Sequence, residues 1–199
     1  RRIEEVASFF EQLTRKYGDI FQDKTLTVTR SLTAFARKYL APAIGRKAPA
    51  FLLGRSSDAL VELDQLDYRL LGIMSRRWCP SQREAARELG LSHTALGRRL
   101  GRLEEQRIIA GYFNRVDLRA LGIHTHRLLL TAHGISREFS RQLGKFCAEH
   151  PYVLRFMETM GGWDYEIEVE VPDVEDVGNI VRSLRHDFGS FIAAIHQLQ

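Results

Sequence analysis

Residues 81–106 contain two consecutive helical patterns that meet at a single glycine. Ser81 is followed three residues later by Glu84, which is the spacing of a capping box at the start of a helix. Ser92 is a second capping residue, and Gly90 lies between the two patterns, where a left-handed residue can end a helix. The apolar positions of the second pattern recur at helical spacing at Leu96, Leu100 and Leu103. The segment therefore predicts two short helices joined by a tight turn.

The flanking residues predict one helix before this pair and a strand after it. Asp64 is a capping residue for a helix over 65–76, and Pro80 breaks the chain before the next helix. The apolar run over 108–113 predicts a strand, followed by a short helical turn. Three helices followed by a strand are the order of a winged helix-turn-helix, whose recognition helix places its N-terminal end in the major groove of DNA.

Positive charge is concentrated in this part of the chain, although the net charge of the whole chain is only +4. Residues 76–119 carry ten arginines, no lysine and five acidic side chains, whereas residues 120–199 carry seven basic and eleven acidic side chains. Such asymmetry indicates one segment that meets an anion. Arginine suits phosphate and guanine because its planar guanidinium binds both in a bidentate manner. Double-stranded DNA is therefore the expected partner.

The candidate DNA contacts lie at the first residues and on the accessible faces of the two predicted helices. The alternative is a plain helical hairpin with a solvated arginine face, because short motifs also occur by chance. The adjoining strand and the arginine-rich segment favour DNA binding. The candidate residues are Ser81, Gln82, Ser92, His93, Thr94, Arg98, Arg99 and Arg102.

From residue 123 the pattern changes to strands and amphipathic helices in the order β-α-β-β-α-β, which is typical of a ferredoxin-like fold. The strand over 164–171 alternates strictly, with Glu166, Glu168 and Glu170 on one side. A solvated sheet face is the favoured interpretation of these glutamates, and pairing with arginines of another subunit is the alternative. The fold class expected is α+β: a winged helix-turn-helix domain and a ferredoxin-like domain, preceded by a helix–strand half-module.

Two stretches resemble the Lrp/AsnC (feast/famine) transcription regulators. Residues 63–121 are similar to the DNA-binding domain of that family through LDQLDYRLLGIM, ARELGLSHTALGRRLGRLEEQRII and AGYFNRVDLRALG. Residues 123–198, which include GGWDYEIEVEVPD, resemble its effector-and-assembly domain. The resemblance implies a sequence-specific DNA-binding regulator that forms a homodimer or a larger assembly of dimers. It also implies modulation by a small-molecule effector such as an amino acid.

The chain departs from the family pattern at two places. Arg107 stands where the family usually has glycine, which implies loss of the usual left-handed helix cap. The family's Gly-Asp-x-Asp turn reads Gly161-Gly162-Trp163-Asp164 here, so the acidic residue that could meet an effector's ammonium group is missing. The backbone N–H groups of adjacent glycines could still take a carboxylate, with a tight hairpin without a ligand as the alternative. The candidate effector site comprises Thr159, Gly161, Gly162 and Asp164.

Residues near the N-terminus repeat the end of the chain. A shift of 171 residues places residues 3–21 on residues 174–192, with chance similarity between two amphipathic helices as the alternative. The repeat predicts a helix over 2–17 and a long strand over 24–40, the last two elements of an effector domain. Because these two elements cannot bury a core alone, either the chain is a fragment of a tandem protein or another copy completes the sheet. The expected division is 1–42 half-module, 43–60 linker, 61–121 DNA-binding domain and 122–199 effector and oligomerisation domain.

No catalytic set or cofactor motif is visible in the sequence. His124 and His126 are too few for a structural zinc site, and Cys79 and Cys147 lie in different predicted elements, which argues against a disulfide framework. One alternative is a sirohaem decarboxylase-like enzyme of the same architecture, although RLLLTAHG lacks the residue cluster that those enzymes use; another is a ligand-independent assembly protein. No apolar run reaches the ~18 residues of a membrane span, so a cytoplasmic protein without a membrane partner is expected.

Overall fold

A computed structural model describes residues 3–18, 25–40, 51–55, 61–76, 81–112 and 116–199. The α-helices are α1 (Ile3–Tyr17), α2 (Gln65–Met74), α3 (Gln82–Leu89), α4 (His93–Glu105), α5 (Arg137–Glu149) and α6 (Val174–Phe188). The strands are β1 (Thr27–Ala34), β2 (Phe51–Arg55), β3 (His124–Ala132), β4 (Val153–Gly161), β5 (Tyr165–Val171) and β6 (Ile192–Leu198). A short 3₁₀ turn spans Arg119–Leu121.

The six strands form one antiparallel sheet in the order β2-β1-β4-β5-β3-β6. The last four of these strands, with α5 and α6, have the β-α-β-β-α-β order of a ferredoxin-like fold, so the α+β class is confirmed. The two helices and one face of the sheet enclose a core whose fully buried members include Leu128, Leu130, Leu143, Ile167 and Leu184. Period-two alternation in β5 places Tyr165, Ile167, Val169 and Val171 in this core.

Helices α2, α3 and α4 pack around a separate core. The predicted capping residues Asp64, Ser81 and Ser92 each accept a hydrogen bond from the backbone of the third residue of the helix that follows. Gly90 ends α3 with φ 68°, a conformation that costs a residue with a Cβ about 1–2 kcal/mol. The fully or nearly fully buried side chains are Leu70, Ile73, Ala85, Ala86, Leu89, Leu96, Leu100 and Leu103.

The strand expected over 108–113 is not formed within residues 106–112. The N–H groups of Ile108 and Ile109 both donate to the carbonyl of Leu103, at 2.9 and 3.1 Å. These bonds satisfy the last turn of α4, so the two N–H groups are not available to a sheet. Phe113, the last residue of the expected strand, lies outside the described residues.

The glutamate row on β5 is not a solvated face, so that interpretation is wrong. Glu166 and Glu170 are only 6% and 1% exposed. Ion pairs with arginines of the same chain cover all three glutamates: Arg127–Glu166 at 2.9 Å, Arg155–Glu168 at 2.9 Å and Arg37–Glu170 at 2.8 Å. The alternative, arginines from another subunit, is therefore not needed to explain the row.

β1, near the N-terminus, joins the sheet of the ferredoxin-like domain. The strand predicted over 24–40 is observed only over Thr27–Ala34, and it pairs antiparallel with β4. The predicted linker at 43–60 includes β2, which pairs with β1. A long free strand would leave its backbone N–H and C=O groups unpaired, which is unfavourable. In β1 these groups are paired with β4 on one side and, over residues 31–34, with β2 on the other.

Residues 35–40, which we call the strap, hold β1 to the ferredoxin-like domain. Phe35 is 8% exposed and belongs to the core of that domain. The Lys38 ammonium donates to the carbonyls of Ala148 and His150 at the end of α5, where a cation is favourable. Arg37 and Tyr39 both donate to the Glu170 carboxylate. The strap is thus an integral part of the ferredoxin-like domain in this chain.

Candidate nucleic-acid interface

The N-terminal end of α4 presents three polar side chains to solvent. Ser92 precedes the helix, and its Oγ accepts a hydrogen bond of 3.1 Å from the Ala95 N–H. Ser92, His93 and Thr94 are all exposed. Because the leucines of α4 face the core of the three-helix unit, this end of the helix is held rigidly while its first residues stay accessible. Such an end can contact base edges in a major groove.

The three candidate arginines of α4 have different environments. Arg98 is exposed and has no ion-pair partner among the described residues. Arg99 Nη1 lies 2.7 Å from Asp64 Oδ2 and 2.7 Å from Asp67 Oδ1, and Arg102 pairs with Asp67. Arg102 is exposed and Arg99 partly exposed, as expected of accessible faces, but carboxylates of α2 pair with both, which the sequence did not indicate.

Asp67 is the buried centre of this cluster, and sequence reasoning missed it. Its side chain is fully buried and forms a reciprocal capping box with Asp64, with backbone-to-carboxylate distances of 3.1 and 2.8 Å. Burial by itself raises the pKa of Asp67, but hydrogen bonds from Arg102, from the Asp64 backbone and from Arg99 outweigh it and hold the pKa below its usual value. The Asp-x-x-Asp spacing at the start of α2 is the signal that could have revealed the pair.

The first turn of α3 is less open to a phosphate than its sequence suggests. The Ser81 N–H and hydroxyl each donate to Glu84 Oε2 at 2.8 Å, which closes the predicted capping box. These bonds hold the pKa of Glu84 below its usual value. A carboxylate at this end already occupies the place that suits an anion. Ser81 and Gln82 are both exposed, but Ser81 is engaged in the capping box and Gln82 is not part of it.

Arg107 keeps the left-handed helix cap that its identity was expected to abolish. Its φ is 56°, and it is the one non-glycine residue with positive φ in the described parts of the chain. The Arg107 N–H donates to Glu104 and the Ile108 N–H donates to Leu103, both at 2.9 Å. This is the hydrogen-bond pattern of a Schellman motif. The expected loss of the cap is wrong, because the backbone bonds outweigh the strain at Arg107.

The candidate effector turn is engaged within the chain. Thr159 is buried, and its hydroxyl donates to the Trp163 carbonyl at 2.7 Å. Asp164 Oδ2 accepts from the Ala132 N–H at 2.8 Å. The Gly162 N–H, one of the groups that could take a carboxylate, donates to Thr27 Oγ1 at 3.2 Å. Because β1 approaches the turn, this N–H already has an acceptor within the chain.

The two glycines of the turn allow this approach. A Cβ at Gly161 would lie 2.2 Å from the carbonyl oxygen of Leu26, and one at Gly162 would lie 2.0 Å from Thr25 Cγ2. Gly161 also has φ 129°, which side chains rarely adopt. The adjacent glycines are thus explained by the packing of residues 25–27 against the turn.

The described cysteine and histidine side chains give little indication of a catalytic site. Cys147 is fully buried, and burial raises the pKa of its thiol, while Cys79 lies outside the described residues. His126 is buried with Nδ1 3.2 Å from Gln197 Nε2. Across the described ranges no group of three or more potential metal ligands occurs. Within the same ranges, none of the helices has the length and apolar character to cross a bilayer.

The known proteins that this chain is similar to are DNA-binding transcription regulators, in agreement with a nucleic-acid interface on α4. The family model described as winged helix-turn-helix DNA-binding matches residues 63–110. The Bkd operon transcriptional regulator of Pseudomonas aeruginosa is 29% identical over 116 residues, which are 58% of this chain and 76% of that protein. The DNA-binding transcriptional activator DecR of Escherichia coli K12 is 30% identical over 115 residues, 57% of this chain and 75% of that protein.

Solved structures share the fold. An AsnC family transcriptional regulator from Agrobacterium tumefaciens superimposes with TM-score 0.57 at 22% identity, over 68% of this chain and 88% of that one. The transcriptional regulator NMB0573 of Neisseria meningitidis, solved as a complex with L-Met, gives TM-score 0.58 at 16% identity, over 69% and 88% of the two chains.

Fold, site and relatives together define a DNA-binding transcription regulator built from a winged helix-turn-helix and a ferredoxin-like domain. The chain belongs to the Lrp/AsnC family. Since these relatives are regulators, the protein is not an enzyme, and the tetrapyrrole decarboxylase alternative is set aside.

Proposed function

We propose that α4 reads the operator through its N-terminal end and through Arg98. The observation that carries this proposal is the contrast among the α4 arginines, because Arg98 alone is exposed without a carboxylate partner in the described residues. An unpaired guanidinium can bind phosphate or the guanine edge without first breaking an ion pair. Ser92, His93 and Thr94 supply further hydrogen-bonding groups at the end of the helix that enters the groove.

Arg99 and Arg102 have a supporting role in this proposal. Both pair with Asp67 on α2, so they hold the recognition helix against the preceding helix. Their removal would leave a buried carboxylate without its cations, which costs stability. In this proposal Arg99 and Arg102 hold α4 in place, and they contribute less than Arg98 to direct contact with DNA.

The test is operator affinity measured by fluorescence anisotropy on a fragment identified by footprinting the protein's own promoter region. Arg98→Ala removes a contact worth about 1–3 kcal/mol if it reads a base. Arg137→Ala is the matched control, because it removes the same charge from an exposed site on α5 in the other domain. Equal losses for the two variants would contradict the proposal, since only net charge would then matter.

We propose that the ferredoxin-like domain also mediates self-association. Val28 and Met160 lie opposite each other on β1 and β4, and both are exposed, by 51% and 63%, as is Leu26, by 51%. Exposed apolar side chains that cluster on one part of a surface are typical of contacts between chains. Met160→Glu is expected to lower the mass found by light scattering, whereas Val174→Glu, at an exposed site on α6, leaves it unchanged. A monomer in the unmodified protein would contradict this proposal.

An amino-acid effector is proposed at the 159–164 turn. Trp163 Nε1 is buried there and has no hydrogen-bond partner among the described residues. A carboxylate that took this donor and displaced Thr27 from the Gly162 N–H would satisfy both groups. A thermal-shift screen with the amino acids tests the site: a stabilising amino acid should lose its effect in Trp163→Phe, which keeps an aromatic ring but removes the donor. No stabilisation by any amino acid would leave a ligand-independent assembly domain.

A further inference from the structure

Helices α1 and α6 have the same length and the same kind of ending. A shift of 171 residues places Ile3–Tyr17 on Val174–Phe188, so both ends coincide. A glycine follows each helix, Gly18 and Gly189, and a Cβ there would lie 2.5 Å and 2.4 Å, respectively, from the carbonyl oxygen four residues earlier. Equal length and the same ending favour repetition of one element over chance similarity between two amphipathic helices.

The apolar faces of the two helices differ in what covers them. On α6, the residues at the repeated positions are buried against the sheet: Val177, Ile180, Leu184 and Phe188. Their counterparts on α1 are partly or fully exposed: Val6, Phe9, Leu13 and Tyr17. Phe9 is 57% exposed where Ile180 is 1% exposed. Exposing a face of this kind is costly, at about 25 cal/mol per Å² of apolar surface, so the pattern of α1 calls for a covering surface that the described residues do not supply.

The strand that follows α1 supports a two-domain arrangement. Under the same shift, β6 corresponds to residues 21–27, of which 21–24 lie outside the described residues. β1 begins at Thr27, where that counterpart ends, and it adds to the edge of β4. The end of the repeated segment is therefore directly followed by a strand on the sheet of the ferredoxin-like domain.

We propose that α1 is the last helix of a second effector-type domain, and that its apolar face packs on a β-α-β-β sheet of that domain in the same polypeptide. The sheet of a second copy of the described domain is a poor occupant, because α5 and α6 already cover its apolar face. β1 and the strap then join the two domains, through β4 and through Glu170. DNA binding by α4 requires no second effector domain, so the proposal stands apart from the proposed function.

The first measurement is the intact mass of the protein expressed from its natural gene. The β-α-β-β part of the described domain spans residues 124–171. The mass is expected to exceed 22.9 kDa by at least that of a unit of this size. A mass of 22.9 kDa would overturn the proposal.

The second measurement compares two substitutions in that natural-length protein by thermal unfolding. Phe9 and Gln12 are both exposed on α1 in the described structure, but their counterparts are the buried Ile180 and the exposed Ser183. Phe9→Asp is expected to lower the midpoint by several degrees and Gln12→Asp to leave it nearly unchanged, with Phe9→Ala as a milder variant that still folds. Equal shifts in all three variants would show that α1 has no partner sheet. Operator affinity of the folded variants, which is expected to be unchanged, separates this outcome from failure of DNA binding.

Discussion

At the scale of single residues, Arg107 shows how backbone hydrogen bonds can hold a side chain in a strained conformation. Its φ of 56° lies in the left-handed region, where a residue with a Cβ loses about 1–2 kcal/mol relative to the right-handed region. The two cap hydrogen bonds to Glu104 and Leu103 maintain it there. Glycine carries little of this cost, although it loses more backbone entropy on folding.

Arg107→Gly is therefore expected to stabilise the winged-helix unit by about 0.5–1 kcal/mol, the balance of these two effects. Calorimetric unfolding of the chain would measure it. Arg107→Ala removes the same charge and keeps the Cβ, so it should bring no such gain. If the two variants were equally stable, the change in stability would come from loss of the Arg107 charge and not from the backbone conformation.

Asp67 makes the stability of the same unit sensitive to acid. The pKa values of Asp64 and Asp67 are both lowered in the folded chain. Their stabilisation is fully present above the unfolded value of about 3.9 and is lost as the pH falls through the lower folded values. Asp67→Asn should cost about 1–3 kcal/mol at neutral pH, with a weaker loss of stability below pH ~4 than in the unmodified chain.

The matched control for Asp67 is Glu88→Gln, which breaks the exposed ion pair between Glu88 and Arg76. Exposed pairs contribute little to stability, so this variant should unfold almost like the original chain at neutral pH. Urea titrations monitored by circular dichroism at several pH values would compare the two. An unchanged acid transition in Asp67→Asn would show that other carboxylates dominate it.

At the scale of elements, β1 depends on the two glycines at the end of β4. A Cβ at Gly161 would collide with the Leu26 carbonyl, and its φ of 129° is unfavourable for any other residue. Gly161→Ala should therefore detach the first part of β1 while leaving the core strands paired. The expected result is faster amide hydrogen exchange in β1 and unchanged exchange in β3, measured by mass spectrometry.

Gly178→Ala provides the control for this prediction. Gly178 lies inside α6, and the nearest atom to a Cβ there is the flexible end of Arg182, at 3.8 Å. Alanine in a helix interior is favoured over glycine by about 1 kcal/mol, so protection should be kept or increased. Unaltered exchange of β1 in Gly161→Ala would mean that the strand does not need the close approach.

At the scale of the whole molecule, the two domains differ both in fold and in net charge. The arginine-rich segment over 76–119 includes the exposed end of α4, whereas residues 120–199 are net acidic. Phosphate contacts release counterions from DNA, so affinity should fall with salt. Between 50 and 200 mM salt we expect operator affinity to fall at least about tenfold.

The measurement is anisotropy with the unmodified chain at a series of salt concentrations. Arg98→Ala should reduce the slope of log affinity against log salt by about one if Arg98 contacts a phosphate. An unchanged slope with weaker binding would instead assign Arg98 to a base. A flat dependence in the unmodified chain would contradict DNA binding through this arginine-rich surface.

Much of the molecule was predictable because its signals are local. The capping residues Asp64, Ser81 and Ser92, together with Gly90, act within four residues of chain, so the amino-acid pattern is enough to identify them. Period-two and helical patterns likewise predicted the β-α-β-β-α-β order and the helix at the N-terminus. These features depend on backbone hydrogen bonds and on which side of an element is apolar, and neither requires knowledge of distant partners.

Tertiary structure alone decided which polar groups are free. Arg99 and Arg102 meet Asp67 across 35 or fewer residues of chain, Glu170 meets Arg37 across 133, and Gly162 meets Thr27 across 135. A buried carboxylate requires a partner, but the sequence contains many arginines and does not indicate which of them pairs with a given carboxylate. The sequence by itself determined the elements and the arginine-rich segment over 76–119. The folded chain decided that Arg98 stays exposed with no carboxylate partner among the described residues, and that β1 pairs with β4. Both depend on contacts that form only when distant segments meet.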